Sequence, residues 1–215
     1  MNVKLMRQLC LLNQTKLRQT LSTFLRRVYP NVVETEAYIY AEGSQPICLV
    51  AHLDTVFSAL PEEIFYDPEQ EVMWSPQGLG ADDRAGVYAI LSIINSGFRP
   101  SVVFTTDEEK GCLGAAELVI DHPDCPFPNL KAIIELDRRG KEDSVFYDCD
   151  NIDFEEYIAQ FGFKPNLGSF SDISTIAPEW GVAAVNLSVG YVDEHTYNER
   201  LYVKHLELTG NIYSE

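Results

Sequence analysis

The 215-residue chain is short of positive charge: 16 Lys and Arg stand against 33 Asp and Glu, a net charge of −17. A surface of that sign repels nucleic-acid phosphates, so no nucleic-acid partner is expected. Also missing is any stretch approaching the roughly 20 apolar residues that a membrane crossing needs, and no membrane role is expected either. The five cysteines are an odd number without a Cys-x-x-Cys pair. That argues against a disulfide scaffold and fits reduced thiols in a cytoplasm; Cys48 and Cys112, set in apolar runs, read as small core residues. Internal repeats, low-complexity segments and linker-like stretches are absent, so residues 1–215 are expected to form a single domain.

What is present is globular in balance, with 46% hydrophobic and 23% charged residues. Residues 1–28 carry six basic residues and no acid. Polar interruptions at Gln8, Asn13, Gln14 and Gln19 break any signal-like apolar core. The spacing of Leu5, Leu12, Leu17, Leu21, Leu25 and Val28 predicts instead an amphipathic helix packed across the acidic body.

Further along, β-rich runs at 36–42, 47–54, 101–108, 131–137 and 181–191 alternate with helix candidates at 84–96 and 112–121. An amphipathic stretch at 202–213 closes the chain, and 57–79 reads as a loop or small hairpin. Near-continuous apolar strands separated by helices imply a three-layer α/β/α sandwich with a mostly parallel central sheet.

The strand ends carry the chemistry. "ICLVAHLD" delivers His52 and Asp54, "SVVFTTDEE" delivers Glu108 and Glu109, "KAIIELD" delivers Asp137, and His195 follows "NLSVGY". The C-terminal ends of strands are where open α/β sheets place ligand sites. "GLGADDRAG" adds Asp82 and Asp83 ahead of a helix, where one carboxylate has the reach to bridge two cations about 3.5–4 Å apart. Adjacent acids repel, and a pair of divalent ions offsets that repulsion. Imidazole and carboxylate together suit zinc and, less selectively, manganese or cobalt. His122 and His205 read as surface or packing residues. "GSFSDIST", with Ser171 and Asp172, reads as a loop whose part in a substrate pocket stays open. Arg84 and Arg138 read first as salt-bridge partners, with contact to a substrate carboxylate as the less favoured alternative.

These motifs resemble the co-catalytic zinc exopeptidases, the group of carboxypeptidase G, aminoacylase and peptidase T. "AHLDTV", "GLGADDRAG", "TTDEEKG" and "NLSVGYVDEHTYNE" occur in that group's order and span residues 50–199. The resemblance implies His52 and Asp137 on one metal, Glu109 and His195 on the other, and Asp82 bridging, preferred over Asp83 because Gly86 keeps the group's spacing. It implies Glu108 as general base and Asp54 as the acceptor that orients His52. The expected activity is hydrolysis of peptide bonds in short peptides, as an exopeptidase or aminopeptidase. A deacylase of N-acyl amino acids or a cell-wall peptide amidase is the alternative, and an inactive binding homologue a second one. The chain departs from the group in one respect: only 58 positions separate Asp137 from His195, too few for a lid domain, an arrangement closer to the compact aminopeptidase branch. The oligomeric state is left open.

Overall fold

The structure is a computed structural model that describes residues 1–147, 149 and 152–211. Helices α1 (Val3–Cys10) and α2 (Gln14–Leu25) precede strands β1 (Val32–Glu34), β2 (Tyr38–Ala41) and β3 (Ile47–His52). A hairpin of β4 (Phe65–Asp67) and β5 (Val72–Trp74) leads into α3 (Ala81–Asn95), β6 (Ser101–Thr105), α4 (Leu113–Asp121) and β7 (Ala132–Arg138). Then come β8 (Asp143–Val145), α5 (Ile152–Ala159), β9 (Lys164–Pro165), α6 (Asp172–Trp180) and β10 (Ala183–Ser188). Strands β11 (Tyr191–Val192) and β12 (Arg200–Tyr202) and helix α7 (Val203–Asn211) complete the order.

Eight strands form one sheet in the order β1-β2-β6-β3-β7-β10-β8-β9, and its centre, β6-β3-β7-β10, is parallel. Alternation along these strands builds two cores. Leu49, Ala51, Val102, Phe104, Ile134 and Leu136 face α1, α2 and α3. Their neighbours Cys48, Val50, Val103 and Ile133 face α4 and α6. Both faces are covered, which is why the strands read as unbroken apolar runs. A second, antiparallel sheet of order β11-β12-β5-β4 lies beyond the end of β10.

Three expectations change. The N-terminal helix is two helices, because Asn13 caps α2 by accepting the Lys16 amide at 2.9 Å and ends the first run. "GSFSDIST" is not wholly a loop: Ser171 stands at the N-cap of α6, and the Ser174 hydroxyl takes up its backbone N–H at 3.2 Å. The run 181–191 is not one strand, since β10 stops at Ser188 and β11 joins the other sheet. Between them Gly190, at φ +94°, sits where a side chain would meet the Tyr202 carbonyl at 2.7 Å. The 57–79 excursion is the β4–β5 hairpin. Of the closing stretch, residues 212–213 lie outside the described residues.

Candidate active site

The central strands bring their C-terminal ends to one edge of the sheet. His52 ends β3 and pairs in register with Thr105, the last residue of β6. Beyond Thr105 the chain turns at Asp107, in the left-handed region, into a single 3₁₀ turn of Glu108–Lys110. That turn frees two neighbouring acids from strand alternation, so both reach the same cleft. Asp137 lies one residue before the end of β7. Asp82 and Asp83 precede the regular part of α3, with non-helical dihedrals and a cis peptide between them. Gly86 lets this turn lie against β7: a Cβ there would stand 2.0 Å from the Leu136 carbonyl oxygen.

These residues converge. His52 Nε2 lies 2.9 Å from Asp82 Oδ1 and 3.3 Å from Asp137 Oδ1. His195 Nε2 lies 3.1 Å from Asp82 Oδ2 and 3.0 Å from Glu109 Oε1. The two oxygens of Asp82 are thus divided between two imidazoles. Asp83 does not share this position; it is fully buried and accepts the Gly86 amide at 2.8 Å. Glu108 groups with His52 and Glu109 within ligand distance, inside the same cluster. Asp54 accepts from His52 Nδ1 at 3.2 Å and from the backbone N–H groups of Glu108 and Glu109 at 3.0 and 3.1 Å. One carboxylate thereby ties the end of β3 to the turn after β6.

The electrostatics of the polypeptide alone are those of crowded acids. Burial, reinforced by Asp137 and Asp172, pushes Glu108 up to about 9, although His52 opposes it. Burial and Asp82 push Glu109 up to about 7. Burial raises Asp137 to about 6 against the pull of His52. Asp82 is buried too, yet hydrogen bonds to His195 and His52 hold it below the usual carboxylate range. Burial disfavours charge on His52, but Asp137, Asp54 and Asp82 outweigh it and hold the imidazole well above its ordinary value. The bond to Asp82 raises His195 to about 9.

The donor chemistry fits divalent cations. His52 presents both ring nitrogens to carboxylates, so Asp54 fixes Nδ1 while Nε2 faces two acceptors at once. His52, Asp82 and Asp137 form one group whose donor atoms could hold a cation, and Asp82, Glu109 and His195 form another. Five carboxylates sharing one cleft are costly unless positive charge joins them.

A supporting layer was not assigned from the sequence. Glu199, fully buried, accepts from the backbone N–H of Gly80 at 2.6 Å and of Asp82 at 3.2 Å, and so fixes the turn that aims Asp82. Tyr191 donates to the Asp137 carbonyl at 2.7 Å, and Asn186 Oδ1 accepts the Asp137 amide at 3.0 Å. Ser171 is buried beneath the site and donates to Glu135, with Asn186 Nδ2 donating to it at 3.1 Å. Asp172, also buried, accepts from Thr105. The pair therefore braces the site from below and does not line the pocket. Arg84 is likewise buried, donating to the Asp54 carbonyl at 3.0 Å and the Leu12 carbonyl at 3.2 Å. His122 packs edge-on against Tyr40, and His205 stacks on Tyr202. Glu199 stands four positions after His195 in "VDEHTYNE", with nothing in the residue type to mark its role.

Two clefts meet at Glu109. One of about 160 Å³ holds the acidic cluster together with Arg138, Arg139 and Phe170. The other, about 450 Å³, runs between Asn13 and Gln14 of the helix junction and the loop Thr55–Leu60. Among the described residues no helix is long and apolar enough to cross a membrane.

The sequence profile of peptidase family M28 matches residues 32–161. No curated protein matches the sequence. Among solved structures, a tripeptidase from Staphylococcus aureus is 15% identical with a TM-score of 0.72, over 97% of this chain and 95% of that one. Aminopeptidase PepT from Bacillus cereus is 15% identical with a TM-score of 0.69, over 98% and 95%. An aminopeptidase from the archaeon Desulfurococcus kamchatkensis is 14% identical with a TM-score of 0.67, over 99% and 92%. At such identities the likeness speaks for the fold.

Proposed function

This chain belongs to peptidase family M28, and from that membership we propose a metal-dependent exopeptidase of short peptides, built on residues 1–215 as one catalytic unit without a lid. The observation that carries the reading is Asp82, whose two oxygens each face a different imidazole at 2.9 and 3.1 Å. His52, Asp82 and Asp137 would hold one divalent ion, and Asp82, Glu109 and His195 a second. The mixed nitrogen and oxygen donors favour zinc, with manganese or cobalt also suited. Bound there, the ions would polarise the scissile carbonyl and make water a stronger nucleophile.

The remaining work falls to side chains. Glu108, buried in the cleft beside His52 and Glu109, would take the proton from the attacking water and pass it to the leaving amine. Asp54 keeps the His52 ring in one orientation and tautomer. The five cysteines, all free, suit a reducing compartment, and we take the cytoplasm as the site of action.

Glu108→Gln tests the assignment. It should lower kcat by about 10²–10⁴-fold, the range for a positioned proton carrier, while metal content by elemental analysis stays unchanged. A variant as active as the parent would refute the role. Assaying aminoacyl anilides, di- and tripeptides and N-acyl amino acids side by side separates exopeptidase from deacylase, since only the latter prefers the N-acyl substrates.

A further inference from the structure

We propose that Arg138 and Arg139 form a carboxylate-recognition subsite in the catalytic cleft, so that the preferred peptides carry a negative group there. The inference rests on the peptidase reading and deepens it by naming a substrate class. In a chain with a net charge of −17, two consecutive arginines line the 160 Å³ cleft that holds the ligand cluster. They are the permanently charged cations among its lining residues, and both follow Asp137 directly in sequence.

Neutralising the cluster does not account for them. Among the described residues, Arg138 pairs with Asp143 and Arg139 with Glu194, and neither with Asp82, Glu108, Glu109 or Asp137. The Arg138 pair is loose: Nε stands 3.5 Å from Asp143 Oδ2, beyond hydrogen-bond range, and has no hydrogen-bond partner. The hydrogen bond made by this guanidinium runs from Nη2 to the Leu167 carbonyl at 3.2 Å. A guanidinium offers five N–H donors in a fixed fork matched to a carboxylate. Most of that capacity on Arg138 is unspent. Its side chain is only 16% exposed, which shields the charge from water and strengthens any pairing. Arg139 is the outer member. Its Nη1 holds Glu194 at 2.9 Å, next to His195, while its side chain stays 57% exposed, with donors still open to a ligand. Phe170 also lines this cleft, whose volume of about 160 Å³ suits a compact group.

The carboxylate has two possible sources, an acidic N-terminal side chain or the free C-terminus of a very short peptide. Calorimetry on zinc-loaded Glu108→Gln protein separates them without relying on turnover. Glu-Ala-amide against Gln-Ala-amide tests the side chain, and Ala-Ala against Ala-Ala-amide tests the terminus. The charged member of one pair should bind about tenfold or more tightly, as expected of a charge-assisted pair. Adding Arg138→Gln should erase most of that ratio, Arg138→Lys should keep part of it, and Arg139→Gln should reduce it less. Equal binding within both pairs, a ratio unmoved by Arg138→Gln and Arg139→Gln, or no measurable binding of any of the peptides would overturn the proposal. Failure of the peptidase reading looks different: the unmutated protein, loaded with zinc, would hydrolyse none of these peptides whatever they bind.

Discussion

The two halves of the site are built differently. His52 arrives at the end of a central parallel strand, 1% exposed, with Asp54, Asp82 and Asp137 around its ring. His195 sits in a turn beyond β11, at φ +63°, with half its side chain exposed. The first is positioned by a sheet packed on both faces. The second depends on the small antiparallel sheet and on Glu194, which Arg139 grips from outside. On the proposed two-ion reading, one ion would meet preorganised ligands and the other ligands held by looser structure. The contrast predicts unequal affinities for the two ions.

The sharpest way to break this contrast is at the shared ligand. Asp82→Ala should remove both ions, dropping metal content from about two equivalents per chain, the count of a two-metal site, to near none. His195→Ala should cost only the more weakly held ion. If the two variants retain equal metal, the halves are not built as described.

Asp54→Asn probes the strand-end half by a smaller step. It leaves one accepting oxygen where two now serve three donors and turns the other into an N–H donor, and weakening such an orienting partner costs about 10–100-fold in metal affinity or activity. The loss should fall on the tighter ion in a competition titration with a chelator. An effect confined to the weaker ion would point instead to the Glu109 amide as the bond that matters.

The smallest effect concerns pH. In the polypeptide alone, burial raises Glu108 to about 9 and Asp172 and Glu199 to about 7, whereas unfolded carboxyls titrate near 4. Between those values the folded chain binds more protons than the unfolded one, so stability falls as pH rises. The raised His195, at about 9, acts with the same sign above its ordinary value. Chelated protein should therefore show a denaturation midpoint that declines from pH 5 to 9, and added zinc should flatten the decline. A midpoint that climbs over this interval in chelated protein would contradict the burial of these acids.

Legibility followed the chemistry of each segment. Strands β3, β6 and β7 are buried on both faces, so their sequences are unbroken apolar runs and the acids at their ends stand out. Helix α6 was hidden because Ser171 and Asp172 resemble turn residues until the capping bond with Ser174 is seen. Glu199 was missed for a different reason. Its partners are the backbone amides of Gly80 and Asp82, more than a hundred positions away, and a backbone acceptor role leaves no pattern in the residue type. Arg84 read as a candidate substrate contact because a buried guanidinium spending its donors on carbonyl groups looks, in sequence, like any other charge.

By itself the sequence determined the layered fold, the edge of the sheet where chemistry gathers and the identities of the acids and imidazoles there. Those follow from local rules of alternation, apolar runs and strand ends. Only the tertiary structure decided that Asp82 divides its oxygens between two rings, that Asp54 binds two strand ends together, and that Arg138 keeps unspent donors beside the cluster. Such facts depend on distances between residues far apart in the chain, which close packing of the whole sheet fixes and no local pattern encodes.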